Sequence, residues 1–414
     1  MQTLITAARG AFITLIQRSF GISLLLLLSL SGAQAQTSPT DGTTPLALTP
    51  GAPAGSYALS GFDNVNLYNG HLNFSLPLLS IGGRGGAQMT LPLPIERTWR
   101  IEENAVPEPG GGFSTSYIAQ PNWWMGLEPY GLGKLAARHA GEGETSCGGR
   151  NLYVITLTRL TFTAPDGTEY ELRDQQSNGQ PARPDISCAE EVSRGRVFIT
   201  ADGTAATFIS DTIIYDQITN PGPTGGPDFS SPSGFLMMRD GTRYRIDNGQ
   251  VSWLIDRNGN KVTITYGPQS RVSMITDSLN RKVTICYAFT AACGNPSYDL
   301  ITFQGFAGTQ RTIRVWYANL GDVLRTTQPG DIGTPQTMSQ LFPDITLGNR
   351  MQVFNSRVIS AVELPNGQTY QFRYNAYGEL ARASLPTGGA IEYDYAAGLV
   401  GGPASGITGG EVYR

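Results

Sequence analysis

One spacing constrains this chain more than any other feature. Val262-Thr263-Ile264-Thr265-Tyr266 follows Asp256-Arg257-Asn258-Gly259-Asn260, and twenty-one residues later Val283-Thr284-Ile285-Cys286-Tyr287 follows Asp277-Ser278-Leu279-Asn280-Arg281. The offset returns near the C-terminus: Leu364-Pro365-Asn366-Gly367 maps onto Leu385-Pro386-Thr387-Gly388, and Tyr370-Gln371-Phe372-Arg373-Tyr374 onto Ile391-Glu392-Tyr393-Asp394-Tyr395. A fixed period of about 20 to 50 residues means stacked copies of one supersecondary unit. At about 3.3 Å per residue, this one holds two short strands and two tight turns. A lone hairpin is marginal in water, so successive rungs must pair edge to edge and set tyrosines and β-branched side chains in ladders across the sheet. The expected class is all-β, with the clearest copies at 256–287 and 364–395.

The rest of the chain agrees with that class. From 151 to 414, the expected repeat region, turn signals recur about every ten residues and helical periodicity is absent. Asp166-Gly167-Thr168, Asp202-Gly203-Thr204 and Asp240-Gly241-Thr242 are turns of one kind. Residues 57–150 read as a leading β-rich domain. Val65 and Leu67, then Asn69-Gly70, then Leu72, Phe74, Leu76 and Leu78 at two-residue spacing make a hairpin signature, and Pro77 marks an edge strand. The stretch Gly82-Gly83-Arg84-Gly85-Gly86 reads as a connection between strands, since alternation rather than a helix follows it. The single short helix expected lies around Leu132 to His139.

Arg9 and Arg18 precede an apolar run from Phe20 to Leu30, too short to span a bilayer but suited to a signal peptide over 1–35, with cleavage after Ala35. An uncleaved anchor would have to bury Gln17 and Arg18. Residues 36–56, rich in Thr, Pro, Ala, Gly and Ser, read as a disordered linker. The mature chain is expected to be secreted or held at the cell surface, without a membrane span. Its acids outnumber its bases, 33 to 29 even before the signal peptide takes Arg9 and Arg18 away. That balance argues against nucleic acid, which selects a basic stripe.

Four cysteines in an exported chain read first as disulfides. Of the three connectivities, Cys147 with Cys188 and Cys286 with Cys293 is favoured, because each pair closes a loop of modest length within one segment. A zinc site using His139, Cys147 and Cys188 is the alternative. No cofactor and no other metal site is expected.

Phe372-Arg373-Tyr374-Asn375-Ala376-Tyr377-Gly378-Glu379-Leu380 resembles the repeat of the Rhs and YD-repeat proteins, which runs Tyr-x-Tyr-Asp-x-x-Gly-Arg-Leu. Asn375 stands for the aspartate and Glu379 for the arginine. The segment Val65 to Leu78 also looks like the stretch ahead of the repeats in exported members. The positions carrying the repeat are Tyr266, Tyr287, Gly367, Tyr370, Phe372, Tyr374, Gly378, Leu380, Gly388, Tyr393 and Tyr395. The resemblance implies a leading β-domain followed by stacked hairpins in a spiral sheet or shell segment. It further implies a non-catalytic role in enclosing or displaying a downstream domain, with downstream repeats or a toxin-like domain of the same polypeptide as partner. Cell-surface glycans or proteins are further expected partners. The alternative is a stand-alone glycan-binding or adhesive module, for which Trp99, Trp123, Trp124, Trp253, Trp316 and 18 tyrosines supply rings.

Catalytic patterns are thin. A Ser-His-Asp hydrolase would need His71 or His139, and no Gly-x-Ser-x-Gly elbow accompanies either. The adjacent acids Glu102 and Glu103, or Glu190 and Glu191, read as solvated faces rather than a glycosidase pair. The segment from Asp256 to Asn260 is vaguely like a calcium loop, but lacks the glycine position and the distant glutamate. The expectation is that the chain is not an enzyme.

Overall fold

The computed structural model describes residues 56–58, 62–66, 72–95, 99–107, 113–121, 130–147, 150–164, 169–178, 193–200, 204–219 and 231–395. The expected signal peptide with its cleavage after Ala35, the Asn69-Gly70 turn, His71, Trp123, Trp124 and Cys188 lie outside them. The expected linker does too, except for Ser56, which opens the first strand.

The fold is nearly all β. Strands β1 (Ser56–Ala58), β2 (Asp63–Asn66), β3 (Leu72–Gly82) and β4 (Gln88–Ile95) form an antiparallel sheet in that order. Phe74, Leu76 and Leu78 all point to its buried face, as two-residue spacing requires. Pro77 is exposed, beyond the stretch of β3 that pairs with β2. Strands β5 (Trp99–Pro107) and β6 (Phe113–Pro121) make a separate pair.

The next nine strands are β7 (Lys134–Cys147), β8 (Arg150–Thr163), β9 (Glu169–Asp174), β10 (Ser193–Thr200), β11 (Thr207–Tyr215), β12 (Gln217–Thr219), β13 (Gly234–Met237), β14 (Arg243–Asp247) and β15 (Gln250–Ile255). Neighbours pair from β7 to β11, then β11 with β13, β13 with β14 and β14 with β15. The ring closes where Gln250 of β15 meets Lys134 of β7 and the Leu135 N–H donates to the Gly249 carbonyl at 2.7 Å. A barrel of about eight strands has an interior just wide enough for side chains to fill. Leu135, Leu160, Phe162, Leu172, Phe198, Phe208, Leu236 and Ile246 are all buried.

The helix expected around Leu132 to His139 is a correction: this stretch enters β7. Leu135 lies opposite Phe162 and Ala137 opposite Leu160 in a ladder with β8. Ala, Leu, Lys and Arg favour a helix locally, but that preference is worth only tenths of a kcal/mol per residue, which the cross-strand pairs and barrel closure outweigh. Residue 150, the expected boundary between leading and repeat regions, lies at the tip of this hairpin, where Cys147 pairs with Arg150.

From β15 the chain continues as an antiparallel meander: β16 (Lys261–Tyr266), β17 (Val272–Thr276), β18 (Lys282–Cys286), β19 (Tyr298–Gln304), β20 (Gln310–Asn319), β21 (Arg357–Glu363), β22 (Thr369–Tyr374), β23 (Leu380–Ser384) and β24 (Ala390–Glu392). Each strand pairs with the one before it. The β-branched side chains do form ladders: Ile264 opposes Ile275, which opposes Val283, and Ile285, Ile301 and Ile313 face one another in turn. Residues 320–356, between β20 and β21, depart from the meander and carry a 3-10 turn (Leu320–Asp322) and one α-helical turn, α1 (Met338–Leu341), opened by a capping box of Thr337 and Gln340.

Candidate functional site

The repeat motif resolves into two hydrogen-bonding devices. The first is a turn. In 238–242, 256–260, 277–281, 364–368, 375–379 and 385–389, the first residue's N–H donates to the fifth residue's carbonyl, and the fourth N–H donates to the first carbonyl. The fourth residue has a positive φ in every case, and it is Gly241, Gly259, Asn280, Gly367, Gly378 or Gly388. Only glycine and, at modest cost, asparagine adopt that conformation readily. Where the first residue is Asp256, Asp277 or Asn375, its Oδ1 also accepts the N–H groups of the third and fifth residues at 2.9–3.0 Å. These three residues are structural equivalents.

The second device is a tyrosine tie. The Tyr266 hydroxyl donates to the Val251 carbonyl, Tyr287 to Val272, Tyr374 to Ile359 and Tyr395 to Leu380, at 2.6–2.9 Å and always fifteen residues back. Each bond fastens the end of a hairpin's second strand to the beginning of its first. The tyrosines are thus not stacked on one another across the sheet, as the ladder expectation had them; they cross the hairpin. Burial raises the Tyr395 hydroxyl well above the ordinary tyrosine range, which keeps it a donor. Replacing Tyr374 by phenylalanine should cost about 1 kcal/mol, plus the penalty for stranding the Ile359 carbonyl. Urea unfolding of the single variant, and of a variant with all four tyrosines replaced, checks this; a quadruple variant as stable as the parent would refute it.

Other motif residues receive the leading sheet. Phe372 is buried edge-on to Phe74 at 6.0 Å, Tyr370 meets Phe62 at 6.3 Å, and Tyr393 lies 6.4 Å from Phe74. The Tyr393 hydroxyl donates to Asp63 at 2.6 Å; burial, then the Asp63 bond, drives it far above the usual range. Leu380 is buried beside them. At the other end of the sheet, the loop 82–86 lies on two consecutive repeat turns. The Gly86 N–H donates to Asp256 Oδ2 at 2.8 Å, the Arg84 N–H donates to Ser278 Oγ at 3.0 Å, and Arg281 donates back to the Gly82 carbonyl. Gly85 has φ +65°, and a Cβ there would stand 2.3 Å from Asp256 Oδ2. A Cβ on Gly83 would likewise stand 2.3 Å from Ser278 Oγ, so Gly83 and Gly85 are required by contact with the repeats.

Both carboxylate oxygens of Asp256 are engaged. Oδ1 accepts two backbone N–H groups, and Oδ2 accepts Gly86 N–H and Asn260 Nδ2. Four N–H donors leave this carboxylate no lone pair for a calcium ion. They hold its pKa down to about 2, the Asn260 side chain foremost. A depressed carboxyl contributes stability that is complete above its unfolded value near 3.8 and is lost as pH falls through 2. The Asp256→Asn variant should keep its turn, as Asn375 does, yet lose the Gly86 contact and flatten the acid limb of thermal stability below pH 4. Melting curves from pH 2 to 6 test this, and an unchanged acid limb would count against it.

Two further polar nodes escaped the sequence reading. Arg325, buried in the 320–356 segment, donates to Asp331, Asp394 and the carbonyls of Ala381 and Tyr393, and so laces β23 to the chain beyond β24. Asp299, buried in β19, accepts from the Ala288 N–H and the hydroxyls of Tyr130 and Tyr317. Neither residue stands in a motif.

Cys286 and Cys293 are joined by a disulfide. His139 and Cys147 both lie on β7, and Cys188 is outside the described residues. Among the described residues no group of three His, Cys, Asp or Glu is placed to hold a metal, and no helix is long and apolar enough to cross a membrane. Trp99 is core; Trp253 and Trp316 are half-buried. No family model matches this chain, and no curated protein is detectably similar to it.

Proposed function

We propose that this chain is a non-catalytic wall segment of an exported repeat protein of the Rhs or YD-repeat kind, which encloses or displays a further part of the same polypeptide and offers its outer face to partners at the cell surface. The observation that carries this reading is the tyrosine tie, repeated fifteen residues back in four hairpins. A device that fastens each rung to itself, and strands from β16 to β24 that each pair with the one before, suit an extensible wall. Filling of the barrel interior by side chains favours structure over a ligand cavity. The adhesive reading has less behind it: the Trp253 ring already carries Lys261 at 4.7 Å and Phe235 carries Arg245 at 4.8 Å, so one face of each of these two rings is taken.

The test is the intact mass of the protein from its native source, with peptide mapping and limited proteolysis. A wall predicts peptides that continue the 21-residue pattern, and an attached segment cut more slowly in the whole protein than when expressed alone. A mass matching residues 36–414, with glycan affinity in that product, would replace this reading with the adhesive one.

A further inference from the structure

The loop between β18 and β19 joins the disulfide to the buried carboxylate of Asp299 by two routes. Inside the ring closed by Cys286 and Cys293, the Ala288 N–H donates to Asp299 Oδ1 at 2.7 Å. The next residue, Phe289, has φ +57° and packs its ring 6.3 Å from Tyr317, whose hydroxyl donates to Asp299 Oδ2 at 2.8 Å. Tyr130 supplies the remaining donor at 3.1 Å. The charged and titratable groups facing this carboxyl are therefore Tyr130 from the segment before β7, Tyr317 from β20, Tyr287 from the loop and Arg271 ahead of β17. Arg271 stacks over the Tyr287 ring at 5.1 Å.

We propose that the Cys286–Cys293 disulfide and Asp299 form one coupled redox and proton switch, in which breaking the sulfur bridge places a proton on the buried carboxyl. Burial holds Asp299 above the ordinary aspartate range, and the Ala288 N–H is the strongest contact that pulls it back. Opening the bridge removes the covalent closure of the loop that aims this N–H and leaves it to the Phe289 N–H bond to Pro296 and the Thr290 bond to Tyr287, so the Ala288 contact loosens. The folded reduced protein then has the higher carboxyl pKa of the two redox states, and takes up a proton between the two values. By linkage, acid favours reduction, and reduction favours protonation.

Chemical balance makes the coupling measurable. Dithiothreitol passes two electrons and two protons to the sulfurs of Cys286 and Cys293 and becomes its own cyclic disulfide. No net proton is exchanged while all thiols stay protonated, up to about pH 7.5. A pH dependence in that range therefore belongs to the protein.

The full chain would be equilibrated in dithiothreitol redox buffers from pH 4 to 7.5, quenched by alkylation, and the 286 and 293 thiols counted by peptide mass. Loss of one hydrogen bond to a charge predicts about a tenfold rise in the reduced-to-oxidised ratio as pH falls through the two carboxyl pKa values, equal to about 30 mV. In Asp299→Asn the ratio should not vary with pH. If that variant fails to fold, Tyr317→Phe should instead move the wild-type transition to higher pH. A flat ratio in the wild type, or a slope that survives in Asp299→Asn, overturns the proposal.

Discussion

Arg194→Ala should destabilise the protein by about 3–5 kcal/mol, the range for removing one partner from a buried charge cluster. Arg194 is 1% exposed. Its Nε donates to Asp216 Oδ1 at 2.8 Å, its Nη2 donates to Oδ2 at 2.5 Å, and its Nη1 donates to Ser177 and lies 3.7 Å from Asp174. Alanine would leave the buried Asp216 carboxylate without its cation and with only the Leu157 N–H of these donors, and would take the nearby charge from Asp174, which keeps its Ser177 bonds. The contrast is Arg245→Ala, which breaks a pairing with Asp211 and Asp247 at the surface. Exposed pairs contribute about 0–1 kcal/mol, so the two arginines separate by several-fold although both make bidentate bonds. Guanidinium unfolding of both variants measures this. Equal losses would mean that the buried cluster is no more important than the surface pair. The double change Arg194→Met with Asp216→Leu should regain part of the loss, because it removes the bidentate pair together, while the Leu157 N–H and the Asp174 charge keep it below the parent.

The contrast between these clusters and the turns explains what could be read in the sequence. Gly241, Gly259, Gly367, Gly378 and Gly388 announce their turns because a positive φ excludes nearly every other residue. The strands between them alternate because one face is buried, as in Val262 and Ile264. Both signals are local, and both were legible. Tyr374 and Tyr395 were visible as a repeat, yet their partners were not, since nothing in a spacing of twenty-one says that a hydroxyl reaches back fifteen. The equivalence of Asp256, Asp277 and Asn375 was open to sequence reading through the glycine or asparagine three residues on.

Arg194, Asp216 and Asp299 were beyond reach for a different reason. Charged residues on strands ordinarily face water, and burial is decided by chain closure that no window of sequence contains. The β7 segment shows the same limit from the other side: its composition favours a helix, and only its pairing with β8 makes it a strand. The loop 82–86 was legible as a connection, whereas its contact with turns at 256–260 and 277–281 depends on how a sheet far back in the chain lies against the repeats.

Trp99→Ala is the second change expected to cost several kcal/mol, about 3–5 for a fully buried large aromatic. Trp99 opens β5, is 1% exposed, and sets its ring 4.6 Å from Phe354 and 5.1 Å from Phe342, while its Nε1 donates to the Tyr377 carbonyl at 3.0 Å. It thus joins three pieces: the β5–β6 pair, the 320–356 segment and the repeat turn 375–379. Two further bonds join β6 to the 320–356 segment, the Gly348 N–H to the Tyr117 carbonyl and the Asn349 side-chain amide to the Ala119 carbonyl. These depend on backbone approach, which the indole fixes. Hydrogen exchange in Trp99→Ala should therefore quicken together in β6 and around Leu347, and leave the barrel strands β9 to β11 protected, because Phe198 and Phe208 pack without reference to it. Trp99→Phe keeps a ring but loses the hydrogen bond and part of the indole's volume, so a smaller loss of about 1–3 kcal/mol is expected. If exchange in Trp99→Ala quickened equally everywhere, the leading pair and the repeats would be unfolding as one cooperative body, and the view of Trp99 as a local rivet would have to give way.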